Sequence, residues 1–192
     1  MGSQQPSSYY DALCQGYSAL SASYRASRML PVFVRTLQFM ELIIKQKFIP
    51  PQPAILEIGS GLGLFASFIH DQGYSNYLGF DFSPIAVRIA QSNSTQKFIV
   101  HNALSPLPHT ISFSPDITIS HQFLEHINDD LSIINHLPPS MYFIFSVPDF
   151  DDPAHVRHFL NPNHVLSRYS NLDIIKYSFI DHIHLFLAKK KA

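Results

Sequence analysis

The sequence has a single cysteine, no apolar run that approaches the length of a membrane span, and no basic cluster before its last few positions. One cysteine, Cys14, excludes a disulfide within the chain and is typical of proteins from a reducing compartment. The first residues, MGSQQPSSYYD, show no basic region followed by an apolar stretch, so no secretory signal is predicted. We therefore expect a cytoplasmic protein that does not enter a membrane.

A surplus of positive charge is also missing. The net charge is −1, and the only basic run, at residues 189–191, stands at the end of the sequence. Proteins that bind nucleic acids usually present a basic face. We therefore expect no nucleic-acid partner.

The sequence does contain enough apolar material for one core. Of its 192 residues, 46% are hydrophobic and 13% are aromatic, which is typical of a globular domain. Residues 1–50 have helical apolar spacing, whereas residues 51–192 alternate between strand-like and helix-like segments. We interpret residues 1–192 as a single domain, with a helical lid at 1–50 and an α/β core at 51–192.

The alternating pattern predicts a Rossmann-like sheet with helices on both faces. Two helices are predicted in the lid, at residues 8–24 and 31–49. Five strands are predicted at residues 54–59, 77–82, 97–103, 116–123 and 141–148. Helices are predicted at residues 62–72, 83–93, 129–137 and 161–170, and a Pro/Ser-rich connection follows the third strand. The final strands, at 172–180 and 182–189, have a short link near Asp181, which predicts an antiparallel hairpin.

The segment ILEIGSGLGLF, residues 55–65, predicts a buried strand that runs into a glycine turn and then a helix. Such a turn brings backbone N–H groups close to a nucleotide-like ligand. A P-loop would need a lysine, and none follows the glycines, so a nucleoside triphosphate is excluded. The dinucleotide fingerprint would need a glycine at Leu64, which disfavours NAD without excluding it.

Two acidic residues bear on the identity of this ligand. A carboxylate at Glu57 would repel a pyrophosphate, whereas the sulfonium and α-amino groups of S-adenosylmethionine tolerate it. Asp81, at the end of the second strand, is placed to accept hydrogen bonds from both ribose hydroxyls, a role that serves NAD and S-adenosylmethionine alike. Glu57 and the glycine spacing therefore favour S-adenosylmethionine.

Three motifs, ILEIGSGLG, GFDFSPIAV and ISHQFLEHI, resemble the first, second and fourth motifs of class I S-adenosylmethionine-dependent methyltransferases. YYDALCQGYSAL is similar to the helix before the cofactor fold of many small-molecule members, and FSVPDFDDPAHVRHF to their fifth-strand region. The resemblance spans essentially the whole chain. It implies a doubly wound, mostly parallel seven-stranded sheet with the order 3-2-1-4-5-7-6, in which strand 7 is antiparallel. It also implies an enzyme with S-adenosylmethionine as its cofactor.

The resemblance implies a role for each matching residue at the cofactor site. The residues expected around the methionine half are Gly59, Ser60, Gly61 and Gly63, with Glu57 behind its amino group. Asp81 would hold the ribose, and Phe82 would lie against the adenine. Further cofactor contacts are expected from Asn102, Ala103, His121, Gln122 and Tyr17.

Methyl transfer needs an aligned acceptor and, for a hydroxyl acceptor, a base that removes its proton. Imidazole titrates near neutrality, so the candidate catalytic bases are His121, His126 and His155. The candidate substrate ligands follow the fifth predicted strand and are Asp149, Arg157 and His158. Arg157 would grip a carboxylate or phosphate in bidentate fashion, or would instead pair with a neighbouring aspartate.

The segment QFLEH raises the question of a metal ion. O-methyltransferases of ubiquinone biosynthesis and of small-RNA 3′ ends carry Glu-x-x-Glu-His at this place and hold a divalent metal. Here Gln122 replaces the first glutamate, which leaves Glu125 and His126, with His155 or His158 as a further ligand. Because the loss of a carboxylate weakens a magnesium site, we expect no metal and keep this set as the alternative.

The function favoured by the sequence is methyl transfer to an oxygen or nitrogen of a small-molecule acceptor, because the predicted lid is short and no insertion follows the fifth strand. Two alternatives stay open: an RNA or protein methyltransferase, and a catalytically silent binding module with the same fold. A NAD-dependent oxidoreductase is disfavoured by Glu57 and Leu64. The aromatic-rich lid also allows a homodimer.

Overall fold

A computed structural model of the protein describes residues 2–16, 23–106, 108, 111–138 and 141–191. The strands are β1 (Ile55–Ile58), β2 (Tyr77–Asp81), β3 (Lys97–Val100), β4 (Ile117–His121), β5 (Tyr142–Pro148), β6 (Leu172–Ile180) and β7 (Ile183–Lys190). The helices are α1 (Ser7–Gln15), α2 (Leu30–Lys45), α3 (Leu64–Asp71), α4 (Pro84–Asn93), α5 (Asp130–His136) and α6 (Pro162–Arg168). Short 3-10 helices occur at Tyr24–Ala26 and Leu124–His126. Within these described ranges, no helix is long and apolar enough to cross a membrane.

All seven strands form one sheet with the order β3-β2-β1-β4-β5-β7-β6. The strands from β1 to β5 pair in parallel, and β7 runs antiparallel to both of its neighbours. The last two strands are joined by Asp181 and His182, whose φ angles of 46° and 67° suit a two-residue hairpin turn. The predicted fold class, strand order and terminal hairpin are confirmed.

Helices cover both faces of the sheet, and each face buries an apolar cluster. The first cluster packs α2, α3 and α4 against the sheet, and the second packs α5 and α6. Successive side chains of a strand point to opposite faces. In β5, accordingly, Ile144 belongs to the first cluster, and Phe143 and Phe145 belong to the second. In the described part of the connection from β3 to β4 no helix forms, in line with its Pro/Ser-rich sequence.

The predicted helix over residues 31–49 is too long. α2 ends at Lys45, and Lys47 takes a left-handed conformation with a φ of 59°. The N–H groups of Lys47 and Phe48 donate to carbonyl groups of the last turn at 2.9 and 3.0 Å, which closes the helix in a Schellman arrangement. The apolar pattern continues past this point because Ile49 is buried against the same core.

The two described α-helices of residues 1–50 have different surroundings. α1 ends at Gln15, well before the end of the helix predicted over residues 8–24, of which residues 17–22 lie outside the described ranges. α2 belongs to the core, since Val32 and Met40 are buried in the first cluster. In the described part of the N-terminal region, α1 and the segment before it are therefore the candidates for a cover.

Candidate active site

A cavity of about 320 Å³ lies at the carboxyl ends of β1, β2 and β4. This edge is where open α/β sheets bind their ligands. The predicted site residues on its walls are Glu57, Gly59, Ser60, Gly61, Asp81, Phe82, His121, Gln122 and His126. A second cavity of about 180 Å³ shares Gly59, Asp81 and Phe82 with the first, and it adds Asn102 and Ala103. The structure thus brings most of the predicted cofactor residues to one cleft.

The turn between β1 and α3 needs glycine at two points. Gly59 has a φ of 72°, and a Cβ atom there would approach within 2.4 Å of the Phe123 ring. Gly63 has a φ of 74° and stands immediately before α3, where a Cβ atom would lie 3.0 Å from Ala90 and Phe98. Gly63 packs against Ala90 and Phe98 and does not line the cavity. The absence of a Cβ atom at Gly59 lets the Phe123 ring pack against the turn on the cavity wall.

Asp81 connects this turn to the end of β2. Its Oδ2 accepts the Gly61 N–H at 3.0 Å, and its Oδ1 accepts the Ser83 N–H at 2.9 Å. Burial raises the pKa of Asp81, and these N–H groups act in the opposite direction. Each carboxylate oxygen keeps a lone pair for a further donor, such as a ribose hydroxyl.

Glu57 is buried on the cavity wall between two polar side chains. The Tyr77 hydroxyl donates to its Oε2, and His121 Nδ1 lies 3.6 Å from its Oε1. The other ring nitrogen of His121 is hydrogen bonded to Thr36 Oγ1 at 2.9 Å. Burial raises the pKa of Glu57, whereas His121 and Tyr77 lower it. An ammonium group in the cavity would favour the ionised carboxylate.

A second buried carboxyl group lies beside the cavity, at Glu125. It has no solvent exposure, burial raises its pKa to about 8, and neither oxygen has a hydrogen-bond partner in the described part of the chain. His126 and His155 complete a cluster in which one ligand-type atom from each residue lies within 4.8 Å of the others. His126 lines the cavity, and burial lowers its pKa. His155 lies behind it, with the two ring centroids 4.8 Å apart.

Gln122, the residue after β4, has an unusual backbone. Its φ of 48° is uncommon for a residue that carries a Cβ atom. The strain is held by Ser146, whose carbonyl oxygen and hydroxyl accept the Gln122 N–H at 3.1 and 3.2 Å. Strained residues of this kind concentrate at functional sites, and Gln122 lies on the cavity wall.

The predicted substrate ligand Arg157 lies outside both cavities. Its guanidinium group donates to three backbone carbonyl groups of segment 124–128, at 2.8, 2.5 and 3.0 Å. The same group lies 3.1 Å from the buried carboxylate of Asp130. Its donors therefore hold the segment after β4, and its assignment as an acceptor ligand stays a prediction without a geometric basis.

The two other predicted substrate ligands also point elsewhere. Asp149 lies 3.1 Å from the Nδ1 of His182 in the β6–β7 turn. His158 Nδ1 lies 3.7 Å from Asp151, and neither His158 nor Asp149 lines the two cavities. Asp149 thus joins the loop after β5 to the β6–β7 turn, and His158 lies beside a residue of its own loop.

α1 supplies further cavity residues. Tyr10, Leu13 and Cys14 line the cavity, and their spacing of three and four residues places them on one face of the helix. That spacing is visible in the sequence, but it is equally typical of a core face. Burial raises the pKa of Cys14 to about 11, which disfavours a thiolate nucleophile. Tyr17, an expected cofactor ligand, lies outside the described residues.

The chain matches a known protein family. A family model described as a methyltransferase domain matches residues 23–190. This range contains the glycine turn, the end of β2 and all seven strands. No curated protein matches the sequence.

Solved structures share the fold at low sequence identity. The cyclase SpnF matches with a TM-score of 0.69 at 14% identity, over 100% of both chains. Magnesium protoporphyrin IX methyltransferase from Synechocystis PCC 6803, with bound S-adenosylmethionine, matches with a TM-score of 0.61 at 15% identity, over 98% of this chain and 93% of that chain. The PH0226 protein from Pyrococcus horikoshii OT3 matches with a TM-score of 0.65 at 18% identity, over 94% and 99%.

Proposed function

Because the chain belongs to the methyltransferase-domain family, we propose that it transfers the methyl group of S-adenosylmethionine to an oxygen or nitrogen atom of a small-molecule acceptor. One observation carries the proposal. Two adjoining cavities share Gly59, Asp81 and Phe82, and the larger one also reaches Glu57. The cleft therefore offers a carboxyl group for an ammonium, a carboxylate for hydroxyls and an aromatic wall for a base.

The residues of the cleft suit the three parts of S-adenosylmethionine. Glu57, beside the glycine turn, would bind the amino group of the methionine half. Asp81 would accept the ribose hydroxyls through its remaining lone pairs. The smaller cavity, between Phe82 and Ala103, would take the adenine. Asn102 borders this pocket, but its Oδ1 already accepts the Leu104 N–H at 3.0 Å.

S-adenosylmethionine, when bound, supplies an electrophilic methyl carbon on a positively charged sulfur. The chain must orient the acceptor, exclude water and accept the proton of a hydroxyl acceptor. His126 is placed for the last task, because its Nδ1 lies 3.0 Å from the Ala154 carbonyl oxygen, which can only accept. Nδ1 therefore carries the hydrogen, and Nε2 keeps a lone pair for a proton. His121, held between Thr36 and Glu57, acts as a positioning residue for Glu57.

The acceptor side of the cavity is mainly apolar. The side chains that form it are Leu13, Cys14, Met29, Phe33, Phe65 and Ile127. Such a surface favours an acceptor with a compact apolar body and one polar group near His126. α1 lies along this side, which leaves room for a small molecule and disfavours a folded protein or an RNA helix.

The proposal is tested by calorimetric titration of the purified protein with S-adenosylhomocysteine, with NAD as the comparison ligand. We expect one molecule bound per chain, and we expect Asp81→Ala to abolish the binding. The matched control is Asp173→Ala, because the Asp173 side chain is 66% exposed on β6 and lies far along the chain from the cleft residues. This control should bind S-adenosylhomocysteine as the unchanged protein does.

Acceptors are then screened by following S-adenosylhomocysteine release with small phenols, amines and carboxylic acids. Turnover with one of these classes supports the proposal. Salt-dependent binding of RNA, or methylation of a protein, would instead support the rival macromolecular acceptors. Cofactor binding without turnover on any class would favour a silent module, and binding of NAD alone would overturn the assignment of the cofactor.

A further inference from the structure

Ser83, between the end of β2 and α4, joins three parts of the cleft. It is fully buried, and its N–H donates to Asp81 Oδ1 at 2.9 Å. Its hydroxyl oxygen accepts the Ala86 N–H at 3.1 Å, which caps α4. Its hydroxyl hydrogen is donated to Asp11 Oδ1, on α1, at 2.5 Å. This one side chain therefore connects α1 and α4 to the Asp81 carboxylate.

Asp11 also contacts the first turn of α4. Its Oδ1 lies 3.4 Å from the Ile85 nitrogen, whose N–H donates to it. The N-terminal end of a helix favours a carboxylate, and its first N–H groups have no acceptor within the helix. The start of α4 thus provides a polar attachment point for α1.

Tyr10, the residue before Asp11, contacts the same segment of the chain. Its ring meets the ring of Phe82 edge to face, with the centroids 5.4 Å apart. Two successive residues of α1 therefore bind Phe82 and Ser83, which are also successive. Asp81 and Phe82 are the residues proposed for the ribose and the adenine, so α1 contacts the segment that would bind the adenosine half of the cofactor.

The segment before α1 is attached to the other side of the cleft. Gln4 Oε1 accepts the Asn128 N–H at 2.7 Å, in the segment after β4. The Gly2 N–H donates to the His155 carbonyl oxygen at 2.8 Å, in the loop after β5. The N-terminal segment therefore joins the loops after β4 and β5 to the start of α4.

We propose that Asp11 is a positioning residue for the adenosine half of S-adenosylmethionine. By holding Ser83, it keeps Asp81 and Phe82 in the arrangement that receives the ribose and the adenine, and it keeps α1 along the acceptor side of the cavity. The assignment to adenosine rests on the proposed function. The link between α1 and Ser83 does not, since it is made within the chain.

The acceptor oxygen of Asp11 matters more to this role than its charge, because the charge has opposite effects. It is favourable at the start of α4. Burial raises the pKa of Asp81, however, and the charge of Asp11 raises it further. Asparagine keeps a carbonyl oxygen that can accept from Ser83 and removes the charge. Asp11→Asn should therefore retain the link, whereas Asp11→Ala should lose it.

The attachment of α1 is measured by the rate at which N-ethylmaleimide labels Cys14. Cys14 is the single cysteine of the sequence, and it is 8% exposed where α1 lines the cavity. The reagent reaches the thiol when α1 moves away, so the rate reports that opening. We expect at least about tenfold faster labelling in Asp11→Ala and in Ser83→Ala, which removes the same link from its other end. S-adenosylhomocysteine should slow the labelling of the unchanged protein.

Calorimetric titration separates the two halves of the cofactor. Asp11→Ala should bind S-adenosylhomocysteine roughly ten- to a hundredfold more weakly, and methylthioadenosine, which carries only the adenosine half, should lose affinity by the same factor. Glu57→Gln is the contrasting variant, because it should weaken the binding of S-adenosylhomocysteine alone. Asp11→Asn should regain most of the affinity for both ligands. Ser8→Ala, at an exposed position of α1, is the matched control and should behave as the unchanged protein.

Far-UV circular dichroism shows that each variant is folded. Labelling rates and affinities of Asp11→Ala that equal those of the unchanged protein would overturn the proposal. A loss of affinity for S-adenosylhomocysteine without a loss for methylthioadenosine would also overturn it, as would an Asp11→Asn variant that behaves like Asp11→Ala.

The labelling rates separate this proposal from the proposed function. An unchanged protein that does not bind S-adenosylhomocysteine would refute the proposed donor. Faster labelling of Asp11→Ala and Ser83→Ala would even then support the link that holds α1, and equal labelling would overturn it.

Discussion

Glu125 and Asp130 are near neighbours in the sequence, and both have 0% exposure, yet only Asp130 is neutralised by the surrounding protein. Arg168 binds both oxygens of Asp130, at 2.8 and 2.5 Å, and the Tyr169 hydroxyl donates to it at 2.7 Å. Arg157 adds an ion pair at 3.1 Å. Glu125 receives no such donor from any described residue.

The difference shows what each buried acid does. Asp130 begins α5, and its partners Arg168 and Tyr169 lie at the end of α6 and just beyond it, so the ion pairs hold the two helices together. Glu125 faces two histidines at the edge of the cavity, and neither of its oxygens has a hydrogen bond to a described residue. Glu57 is intermediate, because Tyr77 and His121 contact it while it still lines the cavity.

Removal of the Asp130 carboxylate should have the largest effect on stability. Asp130→Ala leaves two guanidinium groups without their buried partner, and we expect it to lower the free energy of unfolding by about 3–5 kcal/mol. Urea unfolding followed by circular dichroism measures this, with the exposed Asp173→Ala as control. A loss below about 1 kcal/mol would erase the distinction between Asp130 and Glu125.

Removal of the Arg157 guanidinium group should have the next largest effect on stability. Arg157→Ala deletes three hydrogen bonds to carbonyl groups and one ion pair, so we expect a loss of about 2–3 kcal/mol in the free energy of unfolding. The affinity for S-adenosylhomocysteine should stay unchanged. Arg88→Ala, on the exposed side of α4, is the matched control. Unchanged stability with a raised acceptor KM would restore the role expected from the sequence.

Replacement of Glu57 should weaken the binding of S-adenosylhomocysteine. Glu57→Gln removes a charge-assisted contact to the cofactor ammonium, and we expect roughly ten- to a hundredfold weaker binding of S-adenosylhomocysteine in calorimetry. Burial raises the pKa of Glu57 in the free protein, so affinity should rise with pH as this carboxyl group ionises. The variant should lack that rise. Equal pH profiles would show that Glu57 does not face the ammonium.

The raised pKa of the Glu57 carboxyl group also predicts how stability changes with pH. Because its folded-state pKa is raised, the contribution of Glu57 to stability is complete below its unfolded-state pKa and is lost as the pH rises through the folded-state value. Relative to Glu57→Gln, the unchanged protein should therefore lose stability across that range. Thermal unfolding at several pH values measures the trend, and a constant difference would contradict it.

Substitution of Glu125 should have the smallest effect on stability. Glu125→Gln breaks no hydrogen bond to a described residue, so we expect a change below about 1 kcal/mol in the free energy of unfolding. Urea unfolding followed by circular dichroism provides the measurement. A loss of several kcal/mol would place Glu125 beside Asp130 as an acid neutralised within the fold.

Local signals in the sequence identified most of the architecture. α4 begins as predicted, because the Ser83 side chain accepts the Ala86 N–H at 3.1 Å and Pro84 occupies the first turn. The glycine turn, the end of β2 and the two-residue hairpin link also depend on neighbours in the chain. The length of α2 was wrong because a buried Ile49 continued the helical pattern beyond the turn at Lys47.

The acceptor side of the site depended on contacts that no local pattern records. Arg157 lies in the loop predicted to bind the acceptor, but the fold places its guanidinium group beside Asp130. Leu13 and Cys14 on α1 were indistinguishable from core positions until α1 was placed along the cavity. The sequence identified Glu125 and His126 as a metal alternative and left the further ligand open between His155 and His158.

The sequence by itself determined the order of strands and helices, the glycine turn and the acids that suit S-adenosylmethionine, because backbone geometry and side-chain period act between near neighbours. Only the tertiary structure decided which buried acids are neutralised and which histidine meets Glu125. The loop after β5 brings His155 to the cluster and leaves His158 near Asp151. Burial and pairing depend on groups that are distant in the chain, and folding alone brings these together.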